Sequence, residues 1–159
     1  MNDLRSAATV RPARVADLGA VVELENRCFS DPWTPAVLLG ELVTDLLHMP
    51  LVVEVAGALR GYLMAWRVVD QLHILNLATD PDYQRQGLGT ILLREAARRG
   101  AEQGQREFML EVRRSNAPAR AFYDKHGFDE TGVRKSYYAD NREDAIIMTC
   151  PVATVLADE

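Results

Sequence analysis

The segment Asp80-Pro81-Asp82-Tyr83-Gln84-Arg85-Gln86-Gly87-Leu88-Gly89-Thr90 carries the most specific chemistry in the chain. It lies between an apolar, strand-like run (Leu72 to Thr79) and an amphipathic, helix-like run (Ile91 to Gln103). A strand-to-helix turn of this kind leaves several backbone N–H groups pointing one way. With the positive end of the helix dipole they form a site for an anion such as a diphosphate. Gly87 and Gly89 let a phosphate approach the backbone, and Arg85 can add charge. Neither a P-loop nor a dinucleotide fingerprint fits, because the turn has no Gly-Lys-Ser/Thr and no G-x-G-x-x-G. Two glycines alone are equally compatible with an ordinary turn.

Glu111 is a second candidate. It stands in the apolar run Phe108-Met109-Leu110-Glu111-Val112, where a carboxylate is unusual. Facing a cleft, a partly desolvated carboxylate there would make a better proton acceptor. Strand alternation equally permits it to face solvent. Tyr123, beside Phe122 on a predicted helix, is either an amphipathic packing residue or a proton donor with a phenol of pKa about 10. Asn116 reads as the N-cap of that helix, and its amide has donors and an acceptor left for a ligand. Trp33, Tyr137 and Tyr138 are aromatic, amphipathic candidates for the walls of a groove, or for core packing.

Positioning these residues takes a folded α/β core, and 159 residues with 48% hydrophobic and 26% charged side chains suit one domain. Net charge is −5 with a pI near 5.2, which argues against nucleic acid and is compatible with a basic peptide or amine. Asp31, Glu143 and Asp144 could attract such a peptide, although exposed acids are more often solvated surface. No apolar run approaches the roughly 20 residues that span a bilayer. The N-terminus lacks an apolar core of the signal-peptide type, so no membrane partner and a cytoplasmic location are expected. Cys28 and Cys150 form no C-x-x-C, and His48, His73 and His126 are scattered, so no metal is expected. The two thiols read as reduced and structural.

A strand is predicted at Thr9 to Arg11, stopped by Pro12, and a helix at Val15 to Cys28 with Leu18, Val21, Val22 and Cys28 on one face. Thr34-Pro35 caps a second helix to about Leu47, with Leu38, Leu39, Leu42 and Leu46 as its buried stripe. Leu51 to Ala56, Leu59 to Val69 and Leu72 to Thr79 form an antiparallel meander. After the glycine turn and its helix, Glu107 to Arg113 is a strand parallel to the last of these. Ala117 to His126 is a helix closed by Gly127, and Phe128 to Val133 and Ala145 to Thr149 are final strands. Residues 1–7 read as a loose leader and 152–159 as a short tail. The order is βααβββαβαββ, an α/β domain with a mixed, mostly antiparallel sheet.

This order resembles the GNAT N-acetyltransferases over roughly Thr9 to Pro151. The resemblance rests on Asp31-Pro32-Trp33, on Asp80 to Gly89, on Leu110-Glu111-Val112-Arg113 with Ser115-Asn116, and on Arg142 to Met148. Tyr123 and Tyr137-Tyr138 also fit. Within the family the pieces look most like the branch that acetylates the N-terminal alanine of a small-subunit ribosomal protein. The resemblance implies the acyl-CoA N-acyltransferase fold, acetyl-CoA as acetyl donor, and the turn Arg85, Gln86, Gly87, Leu88, Gly89 and Thr90 around its pyrophosphate. It implies that backbone groups of Leu77, Ala78 and Thr79 bond the pantetheine arm and acetyl group, and that Asn116 also contacts the cofactor.

It further implies Glu111 as general base and Tyr123 as the acid that protonates the departing thiolate, with Trp33, Tyr137 and Tyr138 around a protein N-terminus, that of a basic ribosomal protein. An α-amine, of pKa near 7.7–8.0, is about one-fifth neutral near physiological pH, so a modest base suffices. No covalent nucleophile is implied, and the amine attacks the thioester directly. Two alternatives stay open: acetylation of lysine side chains or of a small amine, and a non-catalytic acyl-CoA sensor or scaffold. The presence of both Glu111 and Tyr123 speaks against the latter.

Overall fold

A computed structural model describes residues 7–158 of the chain. Its strands are β1 (Ala8–Pro12), β2 (His48–Val55), β3 (Ala58–Val68), β4 (Gln71–Thr79), β5 (Glu107–Arg113), β6 (Asp129–Arg134) and β7 (Ala145–Pro151). Its helices are α1 (Leu18–Cys28), α2 (Pro35–Glu41), α3 (Leu88–Glu102), α4 (Ala117–Lys125) and α5 (Val152–Ala157). One seven-stranded sheet runs β1-β2-β3-β4-β5-β7-β6. All neighbours are antiparallel except β4 and β5. The chain makes that parallel step through α3, since parallel neighbours need a crossover.

Both sheet faces are covered, which is why β3 is buried without a break from Gly61 to Ala65 rather than alternating. On one face Leu88, Leu92, Leu93, Ala96 and Ala97 of α3 pack on Leu63, Leu72, Phe108 and Leu110. On the other, Val21 and Leu24 of α1 and Leu38 of α2 cover Val52, Tyr62, Met64 and Ala78. Each fully buried leucine contributes roughly 1.5–3 kcal/mol of transfer free energy. The small residues of α3 let it lie close: a Cβ at Gly100 would fall 2.3 Å from Leu72 Cδ1.

The predicted meander, the parallel β4–β5 pair and the final strands are present. Three expectations need correction. Helix α2 ends at Glu41, not near Leu47, and Leu46 is 96% exposed instead of completing a buried stripe. The cause is local: Asp45 Oδ1 accepts the amides of Leu47 (2.9 Å) and His48 (2.6 Å), a turn that competes with helix. Leu39 is also exposed, because the short helix turns only Leu38 fully inward. Within the predicted short tail, residues 152–157 form the helix α5, whose Val152 and Val155 are buried against the α3 face. The start of the predicted first helix, Val15–Asp17, is a separate 3-10 turn. Most of the predicted leader, residues 1–6, lies outside the described residues.

Candidate active site

Strands β4 and β5 pair only from Gln71–Glu107 to Ile74–Leu110. Beyond that rung a cleft of about 430 Å³ opens between Leu75–Leu77 and Glu111–Arg113. It lies at the carboxyl ends of a parallel pair, where α/β sheets commonly hold ligands. On the β5 side of β4, backbone groups past Ile74 lack a strand partner, while Leu77, Ala78 and Thr79 remain paired to β3. Such groups can bond an amide laid along the strand.

The cleft brings together Glu111, Tyr123, Asn116, Leu77 and Tyr138 from the predicted set. Along β5 the buried Phe108, Leu110 and Val112 face α3, so Glu111 alternates to the opposite face. Its carboxylate lies 3.0 Å from Arg134 Nε of β6 and beside the Tyr137 hydroxyl. That carboxylate pushes the Tyr137 phenol up from its ordinary value.

Tyr123 reaches the cleft from the α3 side, 7% exposed, with its ring in contact with Phe122 and Phe128. Burial raises its phenol well above the ordinary value, so it stays protonated throughout the physiological range. Asn116 caps α4 by accepting the Ala119 amide at 3.2 Å, as its position predicts, and it also lines the cleft.

The glycine turn leads into α3. Gly87 is its N-cap at φ +86°, and no side chain caps the first-turn amides. Arg85 holds φ +63°, a strained conformation of the kind found at ligand sites. Arg85 and Gln86 are exposed, whereas Leu88 is buried in the core. A Cβ at Gly89 would sit 3.3 Å from the Phe122 ring, so this glycine serves the close approach of α3 to α4. The Thr90 hydroxyl lies 3.0 Å from His126 Nε2 and ties the same two helices. Uncapped amides, a left-handed glycine and an exposed cation fit a diphosphate.

The lead-in is fastened by Asp80, which is 1% exposed. Its carboxylate accepts the Asp82 amide at 2.9 Å and pairs with Arg60 (3.0 Å) and Arg27 (3.2 Å).

Trp33 does not line the cleft. Its side chain packs, partly buried, on the core under α1 and α2. Residues that the sequence did not assign to the site enter instead. Cys28 lines the cleft, donates to the Thr79 carbonyl at 3.3 Å, and has its thiol pushed up by burial. Asn76 lines it from β4, and Glu25 of α1 lies beneath, 1% exposed. A carboxylate at an inward position of an amphipathic helix was the signal that could have found Glu25. Arg113, at the end of β5, reaches Asp140 at 3.0 Å and Asp31 at 3.8 Å. It thereby spans the loops before α2 and after β6.

Residues 18–128 match the model of the Acetyltransferase (GNAT) family. The ribosomal protein bS18-alanine N-acetyltransferase of Escherichia coli (strain K12) is 36% identical over 147 residues, 91% of this chain and 98% of the relative. A relative from Bacillus subtilis (strain 168), provisionally named for the same activity, is 41% identical over 145 residues, 91% of this chain and 96% of its own. The crystal structure of the ribosomal-protein-S18-alanine N-acetyltransferase from Escherichia coli superposes with a TM-score of 0.82 at 35% identity, covering 91% of this chain and 94% of that one.

Proposed function

The chain belongs to the GNAT family of acetyl-CoA-dependent N-acetyltransferases, and on that premise we propose that it acetylates the N-terminal α-amine of a protein, an alanine of ribosomal protein bS18 foremost. The observation that carries this reading is the cleft where β4 and β5 part, with a carboxylate on one sheet face and a protonated phenol on the other. The domain spans the whole chain and works in the cytoplasm.

The first-turn amides of α3 and Arg85 hold the pyrophosphate of acetyl-CoA, with the rest of the Gln86–Thr90 turn around it. The free edge of Leu77–Thr79 aligns the pantetheine arm, and Asn116 offers its amide to the same molecule. The peptide enters from the Glu111 side, between Tyr138 and the loop that carries Trp33. As the amine nitrogen bonds the thioester carbonyl carbon, Glu111 accepts the proton that nitrogen loses. When the carbon–sulfur bond breaks, Tyr123 gives its phenolic proton to the sulfur. The products are an N-acetyl peptide and coenzyme A, with no metal and no covalent acyl-enzyme required.

Purified protein incubated with acetyl-CoA and a peptide panel, read by mass spectrometry, tests this. Acetylation of a free N-terminal alanine and none of a blocked peptide's lysines is the expected result. Preference for lysine or polyamines overturns the substrate assignment, and no thiol release with any amine overturns the activity.

A further inference from the structure

Glu25 is a buried carboxylate that the steps above do not use. It forms no ion pair among the described residues, and burying a lone charge is expensive unless donors surround it. Here they do. Oε2 accepts the Trp33 amide at 2.9 Å, and Oε1 accepts Asn76 Nδ2 at 2.7 Å and the Tyr62 hydroxyl. Burial and this carboxylate together keep the Tyr62 phenol protonated.

A carboxylate only accepts hydrogen bonds, so it dictates which end of the Asn76 amide turns toward it. The NH2 end must face Glu25, and the carbonyl oxygen is left at the opposite end. Asn76 lines the cleft, and no donor among the described residues reaches its Oδ1. It lies on β4, two residues past the last rung shared with β5, and Glu111 lies one residue past that rung on β5. The two residues therefore stand on opposite lips of the opening.

We propose that Asn76 is a substrate-binding residue whose side-chain carbonyl, aimed into the cleft by Glu25, accepts a hydrogen bond from the incoming amine. Glu25 is its positioning residue. This rests on the reading of the cleft as an amine site. The amine is then held by an acceptor on one lip while the carboxylate on the other takes its proton. A neutral carbonyl suits the binding role, because it orients the nitrogen without competing for the proton.

The test uses an alanine-terminated peptide and its desamino analogue, the same peptide with propionyl in place of alanine. Asn76→Ala should raise the peptide KM about tenfold and leave the acetyl-CoA KM within twofold. The inhibition constant of the propionyl peptide, which lacks the amine, should stay within twofold. Glu25→Gln brings a competing NH2 group and should raise the peptide KM about fivefold with the same split. If Asn76→Ala weakens both peptides alike, Asn76 is only structural and the proposal fails. It also fails if the peptide KM does not move. A wild-type enzyme that acetylates no peptide amine overturns the underlying reading as well, whereas an active wild type with an indifferent Asn76→Ala variant overturns this inference alone.

Discussion

The guanidinium carbon of Arg113 lies 3.9 Å from the centre of the Tyr138 ring. The same group reaches Asp140 at 3.0 Å, Asn141 at 3.3 Å and, across the cleft mouth, Asp31 at 3.8 Å. A planar, forked cation can stack and bridge two loops at once, whereas an ammonium is a point charge. A partly desolvated cation–π contact is worth about 1–2 kcal/mol. Arg113→Lys should therefore raise the peptide KM roughly five- to thirtyfold at that energy, since about 1.4 kcal/mol is tenfold. The acetyl-CoA KM should stay close to wild type. Steady-state kinetics with each substrate varied in turn checks this, and equal losses for both substrates would place Arg113 outside the peptide groove.

Removing one proton-transfer group typically costs 10²–10⁴ in rate. Glu111→Gln and Tyr123→Phe should each lower kcat by about a hundredfold or more, at the low end of that range. Neither side chain belongs to the turn before α3, so acetyl-CoA binding, measured by calorimetry, should change less than twofold. Near-wild-type turnover in both variants would remove the assigned roles.

The strand-to-helix glycine turn was legible in the chain because its signal is local: an apolar run, the Asp80-Pro81-x-Tyr83-Gln84 lead-in, two glycines and an amphipathic run that follows at once. The parallel β4–β5 pair was legible because a helix separates the strands. What escaped depends on contacts distant in sequence. Glu25 looks like any acid on an amphipathic helix until Tyr62 and Asn76, 37 and 51 residues away, deliver their donors. The aromatic surface of Trp33 suggests the peptide groove, but its partly buried side chain packs against the core while its backbone N–H donates to Glu25. The leucines at 38, 39, 42 and 46 keep helical spacing, yet the helix stops at Glu41, before the last two of them, and the Asp45 turn follows. Residues 152–157 are too short a run to declare a helix without the α3 face on which they pack.

Asp80 should link acid stability to cofactor binding. Burial works against its charge, but the Asp82 amide and the Arg60 and Arg27 guanidinium groups prevail and hold the carboxyl below the usual range. A carboxylate whose folded pKa is depressed contributes stability above its unfolded pKa, near 3.9, and loses it as pH falls through the folded value. Asp80→Asn should thus be less stable than wild type at pH 7, by about 1–3 kcal/mol for a buried, charge-assisted contact. The gap should narrow as pH drops below about 4. Because Asp80 fastens the lead-in to the turn proposed to hold the pyrophosphate, the variant's acetyl-CoA KM should also rise. Urea unfolding across pH, beside a KM measurement, checks both. A stability gap that does not depend on pH would mean that the charge is not what holds the turn.

The pH dependence of acetylation separates an α-amine substrate from a lysine. Only the neutral amine attacks, so kcat/KM rises with pH until the amine is deprotonated. For an α-amine that rise bends near pH 8 and levels by about pH 9, whereas for a lysine it continues past pH 10. The acid side sets the other limit. Tyr123 must carry its proton, and burial raises its phenol above the ordinary value of about 10, so no fall from this group is expected between pH 8 and 10. The profile for an alanine-terminated peptide should therefore climb to about pH 9 and then stay level to about pH 10. Initial rates at subsaturating peptide across this range, with acetyl-CoA saturating, give the curve. A decline beginning near pH 8 would show that the essential acid is a group more acidic than Tyr123. A climb without a plateau would point to a side-chain amine as the natural acceptor.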